Sequence, residues 1–172
     1  MYIGRLSPEK GLLNLIDAMS RLPDSYELSL YGTGDPQYVN LLQDSVRDQD
    51  LSGRVRFHGQ AEGNGKDEAF FDADVTVAPS FSENFGMSIA ESLAYGVPVV
   101  ASKAAPWEHL EPNGCGLWVD NDPASLAKAI VTLSRRPLAE MGVVARHWMA
   151  REFQWRTIAQ NMTAAYGQLV AS

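Results

Sequence analysis

Glu83 and Glu91 stand eight residues apart on either side of Gly86, in the stretch Glu83-Asn84-Phe85-Gly86-Met87-Ser88-Ile89-Ala90-Glu91. Carboxylates accept hydrogen bonds and donate none, which suits ligands rich in hydroxyl groups. Gly86 opens an apolar-periodic run, so the pattern predicts a helix whose first backbone N–H groups, at Gly86, Met87 and Ser88, have no partner within the helix. N–H groups in that position receive phosphate or hydroxyl oxygens. Glu83 then lies in the loop before the helix and Glu91 roughly one to two turns inside it, so both carboxylates can face one crevice. The stretch reads as a sugar-nucleotide site. The plainer alternative is a helix-start acid at Glu83, favoured by the macrodipole, and an ordinary solvated residue at Glu91.

A second constellation lies at the other end of the chain. Gly4-Arg5-Leu6-Ser7-Pro8-Glu9-Lys10-Gly11 follows the apolar pair Tyr2-Ile3 and precedes Leu12, Leu13, Leu15, Ile16 and Met19, whose spacing is helical. Strand, loop and helix follow in that order. Gly4 permits a tight exit and close backbone approach to a ligand, and Pro8 suits a first helical turn. Arg5 and Lys10 are either solvated loop charges or cations held at the sheet edge. The chain carries 14 Lys and Arg against 21 Asp and Glu, a formal charge of −7. A diphosphate must therefore be met by a locally basic spot, since the global field repels anions. Arg5 and Lys10 are the best-placed pair.

Strand and helix patterns alternate along the chain, without repeats or low-complexity tracts, as in a parallel sheet of βαβ units. Strands are expected at residues 1–4, 26–31, 54–57, 74–78, 98–101 and 116–119, with helices between them. The fold class is α/β, a Rossmann-like doubly wound parallel sheet in a single domain spanning residues 1–172. Residues 62–66, Glu-Gly-Asn-Gly-Lys, read as a flexible loop. Asp122-Pro123 starts a helix to about Arg135 by capping chemistry. The tail from Pro137 reads as helical. Its apolar positions Trp148, Phe153, Trp155, Ile158, Met162, Tyr166 and Leu169 exceed one amphipathic stripe, so part of this surface suits a partner domain, while packing onto the sheet is the main expectation.

At 172 residues and 45% hydrophobic composition, the chain can bury the core of one domain. No apolar run approaches the roughly 20 residues of a membrane-crossing helix, and no signal-like N-terminus is present. Cys115 is the single cysteine, and His58, His109 and His147 are scattered. A metal site is not expected, and Cys115 reads as a small buried residue beside a turn. The expected location is cytoplasmic, with no nucleic-acid partner.

Taken together and in this order, the motifs resemble the C-terminal domain of retaining GT-B glycosyltransferases of family 4. The likeness rests on Gly4-Arg5-Leu6 with Lys10-Gly11, Gly32-Thr33-Gly34-Asp35 after the second strand, Val55-Arg56-Phe57-His58-Gly59, the 74–80 strand, the Glu83 to Glu91 segment and Gly96-Val97-Pro98-Val99-Val100-Ala101. The resemblance implies Arg5 and Lys10 on the donor diphosphate, Glu83 on a hydroxyl of the transferred sugar and Glu91 on the ribose. It further implies that Gly4 and the backbone of Asn84, Phe85, Gly86, Met87 and Ser88 contact sugar and phosphate. The expected ligand is a UDP- or GDP-linked sugar, with no cofactor and no metal required. The acceptor, a saccharide or a lipid-linked one, would be read by an N-terminal domain, which is expected to be absent because Met1 abuts the first strand.

One departure matters. Many relatives carry a Gly-Gly-rich turn after the fifth strand, whereas this chain reads Ser102-Lys103-Ala104-Ala105-Pro106-Trp107-Glu108. The variant resembles a subset acting in bacterial surface polysaccharide or lipopolysaccharide synthesis, for which peripheral association with the inner face of the cell membrane is consistent. Trp107 and Glu108 face an acceptor sugar, or Trp107 plugs the packing beside the turn.

The implied activity is transfer of a hexose with retention. Cations and a helix start would stabilise the departing nucleoside diphosphate, and Glu83 would position the sugar. A nicotinamide-dependent enzyme is disfavoured, because Gly32-Thr33-Gly34 is followed by Gln37 where a third Gly belongs. The rival reading is a non-catalytic nucleotide-binding or scaffolding module.

Overall fold

Short parallel strands organise the chain, and the central ones are buried on both faces. In the computed structural model, which describes residues 1–170, β1 (Tyr2–Ile3), β2 (Leu28–Tyr31) and β3 (Val55–Gly59) form one three-stranded parallel sheet, and β4 (Thr76–Ala78), β5 (Val99–Ser102) and β6 (Gly116–Val119) form another. The register pairs Tyr2 with Leu30 and Val77 with Val100. The two sheets meet along β1 and β4. Val77 N–H donates to the Met1 carbonyl at 2.9 Å, and the Met1 amine to the Val75 carbonyl at 2.6 Å. The resulting spatial order, β3-β2-β1 beside β4-β5-β6, is that of a doubly wound Rossmann-like sheet, and the direction of winding reverses between β1 and β4. Val77, Val99, Val100 and Ala101 are buried, as strands covered by helices on both faces require.

Helices α1 (Leu12–Met19), α2 (Pro36–Asp48) and α5 (Pro123–Ser134) pack together, as do α3 (Asn64–Phe71), α4 (Met87–Tyr95) and α6 (Leu138–Glu152). Their starts differ in kind. Asp35 caps α2 by accepting from the N–H groups of Gln37 and Tyr38, and Asp122 caps α5 through Ala124 and Ser125. By contrast α1, α3 and α4 begin on Gly11, Gly63 and Gly86, with no side-chain cap.

All six expected strands form, with ends shifted by at most two residues. Two other expectations are corrected. Residues 62–66 are not simply a loop, since α3 already begins at Asn64; Ala69 and the stacked pair of Phe70 and Tyr95 anchor it to the core. The tail is two helices, because the chain leaves helical geometry at Phe153, whose ring turns against Trp107 before α7 (Trp155–Val170) starts. Helix α6 packs onto the body through Met141, Ala145, Trp148 and Met149. Helix α7 does not: Trp155 is 86% exposed, and Met162 and Tyr166 are exposed as well. The side chain of Leu169 lies outside the described residues. No described helix is long and apolar enough to cross a membrane.

Candidate functional site

The reversal between β1 and β4 opens a crevice at the carboxyl ends of these strands, the position where open α/β sheets hold ligands. A cavity of about 600 Å³ occupies it. Gly4, Arg5 and Lys10 line it from the loop after β1; Glu83, Asn84 and Phe85 line it from the loop after β4; Gly86, Met87, Ser88 and Glu91 line it from the start of α4. The chain thus brings the candidate ligand-binding residues of the two motifs to one place. A cavity of about 630 Å³ opens at the opposite edge, near Met1, Tyr26 and Ser134. Its charged lining is Glu27, Asp72 and Asp74 with Arg135 alone basic, a poor setting for a polyanion.

Two glycines fix the backbone of the crevice. Gly11, at φ 65°, sits where a Cβ would collide with the Pro79 carbonyl, so the β1 loop and the exit of β4 approach as closely as backbones can. Gly86, at φ 84°, would place a Cβ 2.9 Å from Ile89 Cδ1 and 3.1 Å from Trp107 Nε1. The loop after β4 is pinned along its length. Asn121 Nδ2 donates to the Pro79 carbonyl, Ser102 Oγ to the Ser80 carbonyl at 2.6 Å, and Phe81 N–H to the Glu9 carbonyl at 2.8 Å. The Trp107 indole donates to the Phe85 carbonyl. Beyond this last bond, Ile89 and Ala90 N–H both donate to the Gly86 carbonyl. Among the described residues, the N–H groups of Gly86, Met87 and Ser88 bond no protein acceptor.

The charged side chains are arranged in pairs. Lys10 Nζ lies 2.7 Å from Glu83 Oε2, and the two side chains are only 19% and 18% exposed. Ser80 Oγ donates to the same carboxylate oxygen at 3.4 Å. Lys66, in the first turn of α3, places Nζ 2.7 Å from Glu91 Oε1. Arg5 is mostly exposed, with a long contact of 3.9 Å to Glu9. Hydrogen bonding from Ser7 holds the Glu9 carboxyl below its usual range. Burial first, and the Glu83 carboxylate next, push the Tyr2 hydroxyl well above its ordinary value; that hydroxyl donates to the Arg5 carbonyl at 2.6 Å and orders the loop it supports. The cavity thus gathers three cations, Arg5, Lys10 and Lys66, with two carboxylates. Its balance is positive in a chain of net charge −7.

Two contributors escape the sequence motifs. Lys66 lies in the stretch read as a loop; taking Gly63 as a helix start, with Ala69 and Phe70 as buried anchors, would have put it at the same edge. Trp107 is resolved as a packing residue, buried against Trp148 and Phe153, with ring centroids 5.7 and 5.6 Å away. It is buried, and its indole holds the loop that leads into α4. Phe85 packs over it, at 5.5 Å between centroids. Cys115 is fully buried, and burial pushes its thiol up to about 12. Among the described residues, no three His, Cys, Asp or Glu side chains converge as a metal site would require.

Comparison with known proteins gives this geometry a family context. A family model described as "Glycosyl transferases group 1" matches residues 1–136. The chain is 32% identical over 189 residues to a phosphatidyl-myo-inositol mannosyltransferase of Mycobacterium leprae, an alignment that takes in 100% of this chain and 47% of that protein. It is 31% identical over 176 residues to a GDP-mannose-dependent alpha-(1-6)-phosphatidylinositol dimannoside mannosyltransferase of Mycobacterium tuberculosis, covering 100% of this chain and 44% of the relative. Among solved structures, Anabaena Alr3699/HepE in complex with UDP superposes with a TM-score of 0.86 at 27% identity, over 97% of this chain and 48% of the other. The chain spans about half the length of the curated relatives it matches.

Proposed function

Because the chain belongs to the glycosyl transferases group 1 family, we propose that it is the donor-binding half of a retaining glycosyltransferase of family 4, which moves a hexose from a nucleoside-diphosphate sugar to a saccharide or lipid-linked acceptor. The observation that carries this reading is the convergence, at the reversal between β1 and β4, of Lys10, Arg5, Glu83, Glu91 and the uncapped start of α4 in one crevice. Arg5, Lys10 and the N–H groups of α4 take the diphosphate; Glu91 takes the ribose hydroxyls; Glu83 takes a hydroxyl of the sugar. As the glycosidic bond breaks, negative charge accumulates on the departing diphosphate. Fixed cations and oriented N–H groups stabilise that charge without having to reorganise. The diphosphate charge is met by the chain's own groups, with no metal invoked.

The acceptor is assigned to the part of a full-length protein that this chain does not span, and holding acceptor and donor in register accounts for much of the rate in such a transfer. A lipid-linked acceptor places the full-length protein at the inner face of the cell membrane, in surface polysaccharide or lipopolysaccharide synthesis. The relatives' names support either nucleotide, GDP for the mannosyltransferase and UDP for the Anabaena protein. Titration calorimetry of the chain against UDP, GDP, ADP and their sugar conjugates tests the reading. Saturable binding of one base series, weakening with salt, is the expected result, and no binding of any of them would overturn it.

A further inference from the structure

In the crevice, the cation assigned to the diphosphate and the carboxylate assigned to the sugar are bonded to each other. Lys10 Nζ and Glu83 Oε2 are 2.7 Å apart with both side chains more than four-fifths buried. Their backbones are tied as well: Phe81 N–H donates to the Glu9 carbonyl between the two loops, and Gly11 abuts Pro79. Loop drift therefore does not relieve the pairing, and one ammonium serves two possible anions. Resting on the donor-site reading above, we propose that the Lys10–Glu83 pair discriminates a sugar-bearing nucleotide from a spent one.

A plain nucleoside diphosphate that draws Lys10 onto its phosphates leaves the Glu83 carboxylate in a largely buried place where, among the described residues, the Ser80 hydroxyl at 3.4 Å is its one remaining side-chain partner. An uncompensated carboxylate there is costly. A nucleotide carrying its sugar brings hydroxyl donors to the same carboxylate and replaces what Lys10 withdraws. Glu83 thus opposes the plain nucleotide and supports the conjugate. Once the sugar has left, the support is gone, Lys10 returns to Glu83, and the diphosphate loses a cation. Glu83 is on this account a specificity residue acting in both directions. Arg5, exposed and held only at 3.9 Å by Glu9, has no comparable competitor.

The test compares UDP and GDP with UDP-glucose and GDP-mannose by calorimetry, on the 172-residue chain, Glu83→Gln, Lys10→Ala and the double variant, each checked for an unchanged melting profile. Glu83→Gln should bind the plain nucleotide about 3- to 10-fold more tightly, the scale of one ordinary net hydrogen bond released from competition, and the conjugate more weakly. Glu83→Ala should move both ligands in the same directions. In the Lys10→Ala background, Glu83→Gln should no longer tighten the plain nucleotide, which separates the pair from the general effect of removing a negative charge. Unchanged or weaker plain-nucleotide binding in Glu83→Gln, or tightening that persists undiminished without Lys10, overturns the proposal while leaving the donor site intact. Absence of binding by the parent chain overturns the donor site itself.

Discussion

The indole N–H of Trp107 is donated to the carbonyl of Phe85, and this bond joins a buried aromatic cluster to the loop that leads into α4. Trp107→Phe keeps a ring against Phe153 and removes only the donor. We expect about 1 kcal/mol of lost stability and a loss of similar size in nucleotide affinity, because Gly86, Met87 and Ser88 are then held less firmly. Trp107→Ala also opens a cavity and should cost about 3–5 kcal/mol of stability. Calorimetry of UDP and GDP beside denaturant melts checks both, and wild-type affinity in a folded Trp107→Phe variant removes the positioning role.

Arg5→Ala should weaken nucleoside-diphosphate and conjugate binding alike by about 1.5–3 kcal/mol, the range of a charge-assisted hydrogen bond, whereas Lys10→Ala should cost the conjugate that much and the plain diphosphate less, because Glu83 competes for Lys10; binding should weaken as salt rises. Unaltered affinity in both folded variants would strip the diphosphate from this loop.

Glu91→Ala should weaken a plain nucleotide and its sugar conjugate alike, since ribose is common to both. Lys66→Ala, which removes the 2.7 Å partner of Glu91 from a side chain about one-third exposed, should cost less, about 1 kcal/mol or below. A Glu91→Ala loss confined to the conjugate would contradict the ribose assignment, and the two ligands titrated in parallel show which holds.

Cys115 should resist thiol reagents at neutral pH and react only on unfolding, because it is buried and its thiol is pushed up to about 12 from 9.0. The raised value has a consequence for stability. Below pH 9 the thiol is protonated in both states; between 9 and 12 only the unfolded chain loses the proton, so folding stability falls as pH rises through that window. Cys115→Ala should flatten part of the decline in alkaline melts. The remainder belongs to groups such as Tyr2, whose hydroxyl is shifted in the same direction.

The 172-residue chain alone should bind donor without transferring sugar, and supplying the remaining half of a full-length relative's architecture should restore transfer with retention. Robust transfer from radiolabelled donor by the isolated chain would place the acceptor site within these residues.

Much of the site was legible because its residues announce themselves locally. Gly86 and the apolar spacing after it marked a helix start, and Glu83 and Glu91 took their places from that start. What stayed hidden depends on distance in sequence. The bond between Lys10 and Glu83 spans 73 residues, and no local pattern says that two groups read as serving different parts of a ligand meet each other. Lys66 was obscured because two glycines flanking Asn64 outweighed the weak helical signal of Ala69 and Phe70. The break between α6 and α7 was obscured because Phe153 fits a helical stripe as well as it fits the cluster around Trp107, and only packing decides between them.

The unequal helix starts carry one more consequence. Asp35 and Asp122 close α2 and α5 permanently, whereas α4 begins on Gly86 with its first amides unclaimed. An anion bound there would act as a removable cap, so that ligand occupancy and local order become one equilibrium. The amides of Met87 and Ser88 should then exchange with solvent more slowly as nucleotide is added. The melting temperature should accordingly rise with the logarithm of nucleotide concentration.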